Sequence, residues 1–275
     1  MSEIAEAVGD GVLPGRVWLY ANYHCNLTCT YCLTESAPKV AKRELGAQRM
    51  LEVAAQARAL GFTSLGVTGG EPFLLSYLTE TIIEMAEMLP IVVLTNGTLF
   101  TRARLEEARG LTGAPVAIQI SLDSADPVAN DTMRGPENFR RVVAAIDALV
   151  ARGVRVRIAT TAEHIDEHEL ERLCQLHRGL GVADEDHIVR PILRRGRAID
   201  SGLGVDTDLI DLPPELTITA DGAYWSPFGP TVHGGRLDTD LLVSRTTSPL
   251  DKPANILLRL VQGRARGDDA KLDIR

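Results

Sequence analysis

The chain has 275 residues, 45% apolar and 24% charged, which is enough for one or two domains around a substantial buried core. Its 29 Lys and Arg against 37 Asp and Glu leave a formal charge of −8, which argues against a surface drawn as a whole to nucleic acid or anionic lipid. Aromatics make up only 4%, too few for a base-stacking platform, and no apolar run approaches the roughly 20 residues that span a bilayer.

Residues 1–12 read as an N-terminal tail without the basic and apolar regions of a signal peptide, so a cytoplasmic protein is expected. Val17-Trp18-Leu19-Tyr20 is the first β run. A helical window follows in which Met50, Val53, Ala54 and Ala57 recur at helical spacing. Ser64 to Val67, then a helix carrying Leu78, Ile82, Met85 and Leu89, then the apolar run Ile91 to Leu94 continue the alternation. A weaker helix over 101–108 leads to the strand 116–120, and Phe139, Val142, Val143, Ile146 and Val150 mark another helix. Residues 154–160 form a fifth strand. Asp166 and Glu169 are spaced as a capping box for a helix with Leu170, Leu173 and Cys174 on its apolar side. Residues 188–193 are a sixth strand, whose Pro191 suggests an edge or a strand end.

Six strands with intervening helices in residues 13–200 predict an α/β fold, a partial (β/α)6 TIM-like barrel; a complete eight-stranded barrel typically takes about 250 residues. Residues 201–262 read as a short α/β extension, with a hairpin around Asp221-Gly222 and a helix over 254–262. Residues 263–275 form a charged tail.

Three of the four cysteines, Cys25, Cys29 and Cys32, lie within eight residues directly after the first strand. In a parallel barrel that is the face where loops build active sites. On one helix this spacing would make a stripe; only a wrapped loop brings the three sulfurs to one centre. Thiolates select zinc, Cu(I) or iron–sulfur clusters. A [4Fe–4S] cluster normally takes four cysteines, so three would leave one iron open to a ligand from outside. The rival arrangement is a structural zinc with His24 or Cys174 as fourth ligand, in a non-enzymatic binding module.

Further motifs follow: Gly69-Gly70-Glu71-Pro72, Thr95-Asn96-Gly97 and Ile120-Ser121-Leu122-Asp123-Ser124 at strand ends, and Met133-Arg134-Gly135 a few residues later in a hydrophilic loop. Together with the cysteine triad, with Tyr31 before its third member, they closely resemble the radical S-adenosylmethionine superfamily along about 200 residues, in the branch that modifies peptides and cofactor precursors. The resemblance implies a [4Fe–4S] cluster on Cys25, Cys29 and Cys32, and S-adenosylmethionine bound at its open iron. It implies cofactor contacts from Tyr31, Gly69, Gly70, Glu71, Pro72, Thr95, Asn96, Ser121, Asp123, Arg134, Ile192 and Leu193. Among these, Glu71 suits the cofactor's ammonium and Arg134 its carboxylate. It also implies an electron donor such as a flavodoxin or ferredoxin.

The sequence departs from many members of that branch, because no cysteine follows Cys174 and Ser226-Pro227 stands where an auxiliary-cluster ligand might be expected. One cluster is therefore expected. The substrate is expected to be a peptide or a small natural-product or cofactor precursor. Arg190, Arg194, Arg195 and Arg197 gather near the sixth strand end, either facing an anionic substrate or balancing Asp184, Glu185 and Asp186 in a solvated loop. Tyr224, Trp225 and Phe228 either line a substrate wall or pack a hairpin onto the barrel. No catalytic acid, base or nucleophile is assigned.

Overall fold

The computed structural model describes residues 2–208 and 211–265. Six parallel strands lie side by side in chain order: β1 (Arg16–Tyr20), β2 (Ser64–Thr68), β3 (Ile91–Thr95), β4 (Val116–Ser121), β5 (Arg155–Ala162) and β6 (His187–Pro191). Between them run α2 (Ala47–Leu60), α3 (Leu78–Ala86), α4 (Arg102–Glu107), α5 (Pro127–Arg134), α6 (Asn138–Val150) and α7 (Glu167–Gly179), after an N-terminal α1 (Glu3–Gly9) and before a single turn, α8 (Arg197–Asp200). This is the partial barrel that the alternation of apolar runs and helical windows implies.

Period-two alternation decides what each strand residue does. Val17 and Leu19, Leu65 and Val67, Ile118 and Ile120, and Val156 and Ile158 face outward into a core with Met50, Val53, Ile82, Met85, Val142 and Ile146 from the helices. Their neighbours Trp18 and Tyr20, Gln119 and Ser121, and Ala159 and Thr161 face inward and line a cavity. The extension lengthens the sheet: β7 (Thr217–Ile218) pairs in parallel with β1, then β8 (Ala223–Tyr224) and β11 (Leu242–Ser244) add antiparallel. A separate ribbon of β9 (Val232–His233) and β10 (Arg236–Leu237) precedes β11, and α9 (Asp251–Ala265) follows.

Several elements differ from the sequence expectation. The N-terminal segment contains α1, capped by Ser2 and burying Ile4 and Ala7. Met133 and Arg134 sit not in a loop but at the end of α5, which starts on an Asp126 cap and Pro127. Asp166 caps α7 as expected, but Glu169 turns away from the cap to accept from Ser124 Oγ at 2.6 Å and Ala125 N at 3.0 Å. Cys174 is only half-buried on that helix. Pro191 ends β6 at the sheet edge; Ile192 and Leu193 continue beyond it, and Leu193 forms a bridge with Val205. α9 reaches into the segment expected as a charged tail, whose remainder lies outside the described residues.

Two predictions come from this packing. Gly66 of β2 pairs with Trp18, and a Cβ there would lie 2.6 Å from the indole Cδ2. Gly66→Ala should therefore displace the indole and cost about 1–3 kcal/mol, read by denaturant unfolding together with the tryptophan emission shift. His177 of α7 is fully buried, with neither ring nitrogen partnered and its ring edge-on to His187, centroids 4.4 Å apart. Burial, reinforced by His187, pushes its pKa from 6.5 down to about 3. The unfolded chain takes up that proton first, so the stability present above pH 6.5 should drain away as the pH falls toward 3. His177→Phe should flatten that acid limb of the stability–pH curve; an unchanged limb would contradict the assignment.

Candidate active site

The loop after β1 carries Cys25, Cys29 and Cys32 to the C-terminal ends of the strands, where all three line one cavity of about 220 Å³. The loop is wound by short local bonds: Leu27 N donates to Cys25 Sγ at 3.3 Å, and Cys32 N donates to Cys29 O at 3.3 Å. Asn96 Nδ2 also donates to Cys25 Sγ, at 3.5 Å. Burial pushes the Cys25 thiol up to about 12 and raises that of Cys29 as well. Thiols held protonated in this way become ligands when a metal takes the proton's place.

The next two loops are locked to the first. Gly69 has φ +152°, and a Cβ on it would meet Asn22 Oδ1 at 2.6 Å; one on Gly70 would strike the carbonyls of Tyr23 and His24. These glycines let the loop after β2 lie directly on the backbone before Cys25, with Gly70 N donating to Asn22 O and Glu71 N to His24 O, each at 2.9 Å. Glu71 is fully buried. Its Oε1 accepts from Thr95 Oγ1 at 2.7 Å and Phe73 N at 3.0 Å, and its Oε2 from Asn96 N at 2.7 Å. Thus Gly69, Gly70, Thr95 and Asn96 line the cavity, while Glu71 and Pro72 stand behind it. A carboxylate expected at the surface of the site is instead part of its wall.

On the opposite side, Arg134 from the end of α5 lies between Tyr31 and Asp123. Its NH1 donates to Tyr31 OH and to Asp123 Oδ2, the latter at 3.2 Å, and Tyr31 OH donates to Asp123 Oδ2 at 2.5 Å. Burial holds the Tyr31 phenol well above its usual range, so it keeps its proton and serves as that donor. Asp123 Oδ1 accepts from Thr161 N at 3.0 Å, tying the group to β5. Tyr31, Arg134, Ser121, Ile192 and Leu193 reach the cavity; Asp123 stands behind Tyr31 and Arg134. Arg134 Nε is buried without a partner, a donor left open beside the cysteines.

The expected substrate residues fall elsewhere. Arg194 NH2 donates to Gly204 O at 2.8 Å, and Arg195 is held by Asp240 at 2.7 Å and 2.9 Å and by Thr231 at 2.9 Å. Tyr224 and Trp225 are buried in the core, Trp225 Nε1 donating to Leu212 O at 3.0 Å. None of these four lines the cavity, whereas Pro227 and Phe228 from the same extension do. Sequence reasoning also missed how the cysteine loop is held from behind. Arg197 donates from NH1 to Cys29 O at 2.6 Å, from NH2 to Ser36 O at 3.0 Å and from its backbone N to Cys32 O at 3.0 Å. Val232 N donates to Leu33 O at 3.0 Å, and the Glu35 carboxylate accepts from Gly234 N at 2.9 Å and Gly235 N at 3.1 Å. His233 and Asp200 flank that carboxylate at the surface, their side chains 3.2 Å apart.

The ligand set separates the two metal arrangements. Ligands of one tetrahedral zinc, at Zn–S of about 2.3 Å, would sit about 3.8 Å from each other. Among the described residues the three cysteines are not grouped as ligands of a single ion. A [4Fe–4S] cluster takes each sulfur on a different iron. His24 Nε2 faces Glu44 at 3.9 Å, and Cys174 is on α7, so neither completes a zinc site with the triad.

Comparison with known proteins agrees with this geometry. The family model described as the Radical SAM superfamily matches residues 20–177. The fold is similar to that of Streptococcus suis SuiB bound to S-adenosylmethionine, at 18% identity and TM-score 0.57, covering 69% of this chain and 44% of that one. The chain thus spans less than half the length of SuiB. It is also similar to native anSMEcpe with bound AdoMet, at 16% identity and TM-score 0.63 over 87% of this chain and 80% of that one. The same protein with bound AdoMet and the Kp18Cys peptide gives 13% identity and TM-score 0.66 over 90% and 82%. With the family model covering more than half of its length, the chain belongs to the radical SAM superfamily, enzymes that work with a [4Fe–4S] cluster and S-adenosylmethionine.

Proposed function

We propose that Cys25, Cys29 and Cys32 each hold one iron of a [4Fe–4S] cluster, and that S-adenosylmethionine chelates the fourth. What carries this reading is the convergence of three buried or half-buried thiols with Gly69, Gly70, Thr95, Asn96, Ser121 and Arg134 on a single cavity. Held there, a reduced cluster would supply the one electron needed for reductive cleavage of S-adenosylmethionine and so for hydrogen abstraction from the substrate.

The protein's own groups bind, orient and shield. The exposed carbonyl edge of Gly69-Gly70 and the Thr95 hydroxyl receive the cofactor's ammonium. Glu71 acts behind them as a positioning residue, because its three accepted bonds fix Thr95 and the Asn96 backbone. The open Nε edge of Arg134 takes the methionyl carboxylate, with Asp123 and Tyr31 holding the guanidinium in place. Ser121 would offer the cofactor a hydroxyl contact, and Tyr31, Ile192 and Leu193 would stand beside the adenine. Asn96 Nδ2 and Leu27 N, donating to the sulfur of Cys25, stabilise negative charge on the reduced centre.

The substrate in this reading is a peptide or a small natural-product or cofactor precursor. The likeness in fold to SuiB and anSMEcpe supports the peptide, since structures of those proteins are bound to the precursor peptide SuiA and to the Kp18Cys peptide. A flavodoxin or ferredoxin delivers the electron. Residues 13–200 act as the catalytic barrel and 201–262 as an extension that braces the cysteine loop and supplies Phe228 to the cavity. Among the described residues no helix is long and apolar enough to cross a membrane.

Anaerobic reconstitution should give about four iron and four sulfide per chain and dithionite-dependent 5′-deoxyadenosine. Single Cys→Ala changes at 25, 29 and 32 should each bleach the brown chromophore and abolish the nucleoside product. Stoichiometric zinc without nucleoside, or a Cys→Ala variant that keeps its full iron, would overturn the reading.

A further inference from the structure

One arginine near the end of the sixth strand differs from its neighbours. Arg194, Arg195 and Arg197 are all spent on carbonyls and carboxylates of the fold. Arg190 has no ion pair and no side-chain hydrogen bond among the described residues, and it lines the cavity. On β6 it stands beside Thr161 of β5, one inward step deeper than Ile192. On β4, Gln119 stands one inward step deeper than Ser121; it is 2% exposed and its Nε2 has no partner. Their backbones are not level, since Arg190 pairs with Thr161 and Gln119 with Arg157, but both side chains line the one cavity, with Trp18 of β1 in the same lining.

The charges around this lining leave Arg190 uncompensated. The carboxylate acting on it is Glu215, which is engaged by Trp18 Nε1 at 2.7 Å and faces Arg16 at 4.0 Å. Arg157 has its own partner in Asp186, at 3.5 Å. Burial, together with Arg157 and Arg16, lowers the pKa of the Arg190 guanidinium against the pull of Glu215, a sign that its charge is poorly matched by the protein alone. A buried amide donor without a partner is costly unless a ligand satisfies it, and the half-buried Arg190 guanidinium is free to meet the same ligand. A guanidinium fork and an amide N–H lining one cavity match the acceptor pattern of a carboxylate.

We propose that Arg190 and Gln119 form a carboxylate-binding floor of this cavity, so that the substrate is an acidic molecule whose carboxylate docks on them. This rests on the radical SAM reading of the cavity above and adds the substrate's chemical class. The acid is either a side-chain carboxylate or a chain-terminal one. The cofactor's own carboxylate is the competing source.

Calorimetry on the cluster-loaded protein with S-adenosylmethionine bound distinguishes these. Three probes suffice: N-acetylglutamate α-amide carries only the side-chain carboxylate, N-acetylglutamine only the terminal one, and N-acetylglutamine amide neither. At least one carboxylate probe should bind roughly tenfold or more tightly than the neutral probe. Arg190→Gln should erase that preference, Arg190→Lys should keep part of it, and Gln119→Leu should weaken it several-fold, with iron content reporting that each variant has folded. Equal binding of all three probes, no saturable binding of either acid, or a preference that survives Arg190→Gln would overturn the proposal. So would an Arg190→Gln variant that weakens S-adenosylmethionine and leaves the probes untouched. Nucleoside formation by the wild-type protein without any probe tests the underlying reading separately. Its absence alongside Arg190-dependent acid binding would remove the activity and leave the floor standing.

Discussion

A single buried carboxylate organises the site. Glu71 lies wholly inside the protein, where an ionised group is costly unless hydrogen bonds replace the water it has lost. It meets that demand with donors from its own loop and from the loop after β3, while its backbone carbonyl accepts from Asn22 Nδ2 of the loop after β1 at 2.8 Å. Three strand-end loops are thereby held at fixed separations, and Cys25 sits where they meet. The glycines beside Glu71 belong to the same constraint, because any side chain there would lift the second loop off the first.

The opposite wall repeats the device with different chemistry. Asp123 gathers Arg134 and Tyr31 and is itself fixed by a backbone N–H of β5, so the cavity is lined by groups whose orientation is set before anything binds. Preorganisation of this kind matters most where a reactive species must be kept from water and from the protein's own side chains. Between the two walls the inward strand residues change character with depth. Thiols, hydroxyls and backbone edges stand at the strand ends, and the Gln119 amide and the Trp18 indole come from positions further down their strands.

Much of this was legible in the sequence, for identifiable reasons. The strands were visible because a sheet covered by helices turns runs such as Ile91 to Leu94 almost wholly apolar. The motifs other than Met133-Arg134-Gly135 were visible because each falls where such a run stops. α5 was not legible by periodicity, since its residues are mostly polar; the Asp126-Pro127 pair was the available signal. Glu71 was read as facing the cofactor because a motif gives residue types and not the side on which they stand. The arginines of residues 190–197 look alike in sequence, yet strand parity and the reach of Asp240, Gly204 and Cys29 divide them into three braces and one that has no ion pair among the described residues. The same holds for the extension, where Tyr224 and Trp225 turn to the core and Phe228, a few positions on, reaches the cavity.

The carbonyls of Cys29, Cys32 and Leu33 are bonded to Arg197 and Val232, and Glu35 grips a turn 199 positions further along the chain. During synthesis the three sulfurs emerge long before the groups that fix the backbone between them. A nascent chain that has reached only β6 owns every thiol but not the frame that spaces them, and a loose thiol loop has no geometric preference for a cluster over a single soft ion. The cup for iron is in this sense a late product of folding, finished by segments 168 and 199 positions beyond the residues they hold.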